Sequence, residues 1–208
     1  STHIELGTQW QADAEGTLQI KGQVYATRFS RYIALDATGN VIDEVGEGGE
    51  VESFPEYAFR AVPARLVGFE LEGRARLASS PWTLDLMGLV DAVRGTNRSA
   101  GEPLPRVAPM RLKLGLEARQ GPWLGSVTIA HAAKQNRVPA TDMATPAHTL
   151  LGAALSWQQR VSNVDMMLFA RLDNLTDRLA FNATALRTAR ELSPLPGRSA
   201  TVGLRVNW

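Results

Sequence analysis

The amino-acid sequence predicts an all-β protein, an antiparallel meander of about nine long strands. Two observations carry the prediction: apolar side chains recur at every second residue, and the segments between these runs alternate short and long. A third supports it, since all five tryptophans fall near the strand ends joined by short segments. Period-two alternation describes a ribbon with two unlike faces, because successive strand side chains point to opposite sides.

The strands read in order as follows. Ile4, Leu6, Thr8 and Trp10 alternate with Glu5, Gly7 and Gln9, and a turn-rich patch follows at 13–16. Leu18, Ile20, Val24 and Ala26 then oppose Gln19, Lys21, Gln23 and Tyr25. A long Gly- and Glu-rich segment, 36–55, is expected to be a loop leading to Val67, Phe69 and Leu71, which oppose Gly68, Glu70 and Glu72. Beyond the short 78–81 link, Trp82, Leu84, Leu86 and Val90 oppose Thr83, Asp85, Met87 and Asp91. The proline-bearing segment 94–109 precedes the clearest run, Met110, Leu112, Leu114 and Leu116 against Arg111, Lys113, Gly115 and Glu117. Val127 and Ile129 follow the tight turn at 120–122, and 134–146 is long. Leu151, Ala153, Leu155 and Trp157 form the next face, closed by a short turn at 159–163. Val164, Met166, Leu168, Ala170 and Leu172 come next, then the long segment 173–197. Val202, Leu204, Val206 and Trp208 end the chain. Only 183–191 has helical composition, and it is expected to form a short loop helix.

Composition narrows the function. With 22 basic and 21 acidic residues the net charge is +1, which argues against a nucleic-acid binder. The absence of cysteine excludes thiolate metal sites, cysteine nucleophiles and disulfides. No apolar run reaches the roughly 18 residues of a transmembrane helix, and no signal peptide opens the chain. The GEGGE stretch at 46–50 lacks the strand–turn–helix context of a phosphate loop, and its glutamates would repel phosphate. No G-x-S-x-G elbow or triad context is present, so no catalytic residues and no cofactor are expected. His131 and His148 flank 134–146 with Asp142 between them, but their spacing matches no defined metal motif.

Long loops gathered at one end, with tryptophans at the other, are the pattern of an outer-membrane barrel rather than a soluble sandwich. Its polar face then supplies candidate lumen residues: Lys21, Glu70, Glu72, Asp85, Arg111, Lys113, Glu117, Asp165, Arg171 and Arg205. The final run, Val202, Leu204, Val206 and the terminal Trp208, resembles the strand by which such barrels are handed to the barrel-assembly machinery.

Four blocks point further. LDNLTDRLAF at 172–181 resembles the NLTDR segment of TonB-dependent outer-membrane receptors. PLPGRS at 194–199 is similar to the PGR element before their last strand. LPRVAPMRLKLGL at 104–116 resembles their LPR-x-x-P-x-R segment, and ARLVGFEL at 64–71 their GFE-bearing strand. The order and spacing of the blocks match over nearly the whole chain. The resemblance implies that residues 1–208 are the carboxy-terminal part of a barrel of about 22 strands, with the plug domain absent from this chain. It also implies energy-coupled uptake of a scarce nutrient such as a metal chelate, siderophore or haem, and location in the bacterial outer membrane. The implied partners are outer-membrane lipid, the plug domain and a TonB-type energy transducer. Two rivals stand beside it: a small self-contained barrel or passive pore, and a soluble β-sandwich binding module.

Overall fold

The computed structural model describes residues 1–208, the side chain of Ala37 excepted. The elements are β1 (Thr2–Gln11), β2 (Leu18–Val45), β3 (Val51–Ala78), β4 (Thr83–Asn97), β5 (Arg111–Gln120), β6 (Trp123–Ala132), β7 (His148–Val161), β8 (Val164–Asp173), α1 (Arg187–Arg190) and β9 (Ser199–Asn207). The strands form one nine-stranded sheet in sequence order, each antiparallel to its chain neighbours. Among the described residues β1 and β9 do not pair with each other, so the sheet is an open section of wall.

Register decides which side chains share a face, because residues directly opposite in an antiparallel pair lie on the same side. Following one row across the sheet, Leu6 pairs with Val24, Val24 with Phe69 and Phe69 with Ala92. Farther along, Leu114 pairs with Ile129, Ile129 with Leu151, and Leu168 with Leu204. One face is therefore apolar through all nine strands. On β2 it runs from Leu18 to Ala26, about 26 Å along the strand, comparable with the apolar band of about 25 Å on membrane barrels.

Among the described residues no second layer covers that face. Leu6 is 73% exposed and Leu204 60%, and among the described residues Leu104 is the only large side chain buried to below 2%. A two-layer sandwich needs a core between its layers, and this single sheet has none. The small cluster that does exist gathers Ala34, Val62, Ala64 and Leu104, with Phe29, Tyr32, Leu66 and Val107 against it. It lies where the β4–β5 loop folds against the middle of β2 and β3 and the last residues of β4.

Two expectations need correction. The segment 36–55 is not a long loop: β2 and β3 continue as a two-stranded ribbon as far as Val45↔Val51, turning through 46–50. Register shifts lie between Phe29 and Tyr32 and between Ala37 and Val41, with Gly39 at φ +87° beside the second. The helix expected over 183–191 shrinks to the four residues of α1.

The remaining connections keep the expected asymmetry. Four short turns join strands at one end, and the β2–β3 ribbon and three long loops occupy the other. Trp10, Trp82, Trp123 and Trp157 lie at the short-turn end, with Trp123 directly opposite Trp157. Trp208 follows β9 at the same end and is 96% exposed.

Candidate functional site

The face opposite the apolar one is polar, and by register it carries all ten charged residues singled out from the alternation. They fall into small groups. Across the upper rows, Gln23 donates to the Glu70 carboxylate at 3.1 Å, and Arg111 holds Asp91 through a two-pronged contact at 2.8–3.1 Å. Lys21 lies directly opposite Glu72, and with Lys113 and Glu117 they line a trough of about 400 Å³ on this face.

Asp85 differs from the rest. Only 3% exposed, it accepts from Arg76 Nε at 2.6 Å and from Arg74 Nη2 at 2.7 Å. A carboxylate with two guanidinium partners is committed to the wall and has little capacity left for a diffusing ligand. Asp165 stands 3.8 Å from Arg160, and Arg171 donates to Asp173 at 2.8 Å. Arg205 faces Met167.

The last strand carries Val202, Leu204 and Val206 on the apolar face, opposite Ala170, Leu168 and Met166. On the polar side, Phe169 lies over Gly203, its ring filling the space a Cβ would take, and Tyr25 covers Gly68 in the same way. In both pairs an aromatic ring covers a backbone that has no side chain of its own.

The loops at the open end are pinned together by contacts that no local pattern signals. Arg190 donates to Asp142 Oδ1 at 2.7 Å, to the Met143 carbonyl at 2.7 Å, and to the carbonyls of Ala183 and Ala185 at 3.1 and 3.0 Å. Asp142 also accepts from the Arg106 backbone at 3.3 Å, so one buried ion pair joins the β4–β5, β6–β7 and β8–β9 loops. Gln135 adds a second pin, donating to the Val107 carbonyl at 2.7 Å.

The NLTDR and PGR blocks meet as one structure. Asn174, 5% exposed with φ +48°, donates to the carbonyls of Arg178 and Pro196 and accepts from the Arg178 N–H. Asp177 accepts from the Arg198 N–H at 2.8 Å. The two blocks therefore close the base of the β8–β9 loop.

The pairing of β6 with β7 sets the two histidines on neighbouring rows but on opposite faces. His131 contacts Thr149 Oγ1 at 2.9 Å on the apolar face, whereas His148 pairs with Ala132 on the polar face. Asp142 belongs to Arg190, and among the described residues no group of three metal-ligating side chains forms.

The family model "TonB dependent receptor-like, beta-barrel" matches residues 1–175. No curated protein matches the chain. Among solved structures, the chain is similar to the copper transporter OprC with TM-score 0.75 and 22% identity, over 97% of this chain and 30% of that one. It is also similar to the closed form of the ferric-catecholate import receptor Fiu from E. coli K12, with TM-score 0.56 and 14% identity, over 98% of this chain and 27% of that one. The chain thus spans less than a third of either structure, and at these identities the likeness is one of fold.

Proposed function

The chain belongs to the TonB-dependent receptor-like β-barrel family, and from that premise we propose that it is the carboxy-terminal section of the barrel wall of an energy-coupled outer-membrane receptor. The nutrient is a scarce metal chelate, siderophore, haem or similar compound. In this reading the apolar face meets outer-membrane lipid, and the polar face lines a hydrated lumen and touches a plug domain. A TonB-type transducer moves that plug, and the barrel-assembly machinery takes up the last strand.

The observation that supports this best is the pairing of two unlike faces over nine strands: an unbroken apolar band, backed by charged rows that include Lys21, Glu72, Lys113 and Glu117. Apolar surface of that extent in water would be an aggregation hazard, and in a bilayer it is the required solvent contact. A wall section contributes rigid lumen groups and docked outer loops; the moving part lies elsewhere in the receptor.

The test is uptake by cells carrying the full-length gene, with copper and a ferric catecholate as labelled probes because the two similar structures bear those names. Uptake of one probe should depend on the energy transducer and on the proton gradient. Equal uptake without the transducer would favour a passive pore. A chain that is monodisperse in buffer without detergent would instead favour a soluble binding module.

A further inference from the structure

We propose that the apolar face carries, at its upper margin, a binding site for a phosphate-bearing membrane lipid, with the head group held by Arg94, Lys134 and Arg137. The proposal rests on the reading of that face as lipid-facing. It begins with a notch in the wall. β5 starts at Arg111 opposite Asp91, so the upper part of β4, residues 92–97, has no β5 partner. β3 still flanks that part of β4 on the other side, as far as Ala64↔Asn97. The notch is a groove of about 680 Å³, with Val67, Phe69 and Ala92 among its apolar lining and Arg94, Lys134 and Arg137 on its basic side.

The basic groups are set where a head group would be. By register Arg94 is on the apolar face, one position above Ala92 and directly opposite Val67. Arg137 is held from the β6–β7 loop, donating to the Gly95 carbonyl at 2.6 Å and to Thr96 Oγ1 at 2.8 Å. A guanidinium has five N–H donors, so these two bonds leave others for an incoming acceptor. Next to the groove, Arg28 and Arg65 stand directly opposite each other on the same face, both exposed.

Like charges directly opposite on neighbouring strands are destabilising unless something neutralises them. On the polar face Arg74, Arg76, Arg111 and Arg171 each have a carboxylate within 4 Å, and of the cations without one, Lys21 stands directly opposite Glu72, whereas Lys113 and Arg205 stand singly. Among the described residues none of Arg28, Arg65, Arg94, Lys134 and Arg137 has one. In a chain whose net charge is only +1, five uncompensated cations sit at the border of the apolar band. A ligand that is anionic at one end and apolar at the other satisfies both halves of the site. The head-group phosphates meet the cations, and the acyl chains lie along Val67, Phe69 and Ala92.

The experiment uses the full-length receptor in detergent micelles, with bisphosphorylated lipid A as probe and native mass spectrometry as readout. The double variant Arg94→Gln/Lys134→Gln is compared with wild type; Arg137 is left intact because it also holds the loop. Heat-modifiable migration in both proteins establishes that the barrel is folded. The wild type should retain the probe, and the double variant should bind it about thirtyfold more weakly, on the scale of two basic residues near an anionic lipid surface. Equal retention by the two folded proteins overturns the site. Equal binding of a dephosphorylated lipid A shows acyl contact alone and overturns it as well. Full competition by millimolar inorganic phosphate reassigns the groove to a soluble anion and overturns the lipid assignment. Failure to insert into membranes at all would defeat the receptor reading instead, which separates the two.

Discussion

Arg190 and Asp142 lie 48 residues apart in the chain and meet with side chains only 3% and 4% exposed. Burying two ions costs several kcal/mol apiece unless pairing and hydrogen bonds offset it. Here Arg190 finds a carboxylate and three carbonyls, and Asp142 accepts from the backbone of Arg106 and Met143 as well. Arg190→Ala leaves that carboxylate buried without its countercharge, with an expected loss of about 3–5 kcal/mol of loop docking. Hydrogen exchange should then rise together in 133–147 and 174–198, and unchanged exchange would remove the clasp. The Arg190→Ala/Asp142→Ala double variant should cost less than the sum of the singles. Glu56, on the β2–β3 ribbon beyond the apolar band, gives a pH prediction. The Thr38 hydroxyl and the Asn40 amide both donate to its carboxylate and hold its pKa below the ordinary 4.5. A lowered folded pKa contributes stability that is complete above the ordinary value and disappears as pH falls through the folded one. The Asn40 side-chain NH₂ resonance should therefore titrate with a midpoint below 4.5. A midpoint at or above that value would contradict the contact, and Glu56→Gln should abolish the titration.

At the scale of elements, the last hairpin depends on Gly203. Any Cβ there would enter the Phe169 ring, so Gly203→Val must displace that ring or part β9 from β8, at about 1–3 kcal/mol. The folded fraction of the full-length barrel in lipid vesicles checks it, and an undiminished fraction would show that the ring moves freely. The β8–β9 loop makes a similar case. Asn174→Ala removes three hydrogen bonds from a buried side chain and strands the carbonyls of Arg178 and Pro196, at about 1–3 kcal/mol for each unsatisfied group. Proteolytic nicking within 178–196 should become faster in that variant while cleavage of the β2–β3 ribbon stays at its wild-type rate.

For the whole molecule, the two faces make opposite demands on charge. Leu114 sits mid-band on the apolar face and Lys113 beside it on the polar face. Leu114→Arg should cost about 2–4 kcal/mol of barrel stability in a bilayer, whereas Lys113→Gln should change it little. Urea titration of the full-length protein in vesicles measures both, and equal effects would mean the assigned faces do not meet different solvents. Trp208, at the short-turn end and almost fully exposed, tests the last strand as an assembly signal. Trp208→Ala should reduce the folded receptor recovered from outer-membrane fractions and leave probe uptake per folded receptor unchanged. Full recovery combined with lost uptake would move this residue from assembly to binding.

The strands, their faces and the end at which the long loops gather are all legible in the order of residues. Those properties are written locally: every second residue reports its side, and turn length reports which end is being crossed. The same local reading misjudged the β2–β3 ribbon. Over 39–55 its side chains are exposed on both faces, so no alternation marks it, and cross-strand hydrogen bonding as far as Val45↔Val51 alone makes it a strand pair. The segment around 183–191 has helical composition, but the carbonyls of Ala183 and Ala185 are committed to Arg190, and one helical turn is what forms. Tertiary structure alone decided the Asp142–Arg190 clasp, the joining of the NLTDR and PGR blocks, and the notch bordered by Arg94, Lys134 and Arg137. Each depends on how far one strand extends past its neighbour and on which loops the sheet brings side by side, and neither quantity is carried by any short stretch of residues.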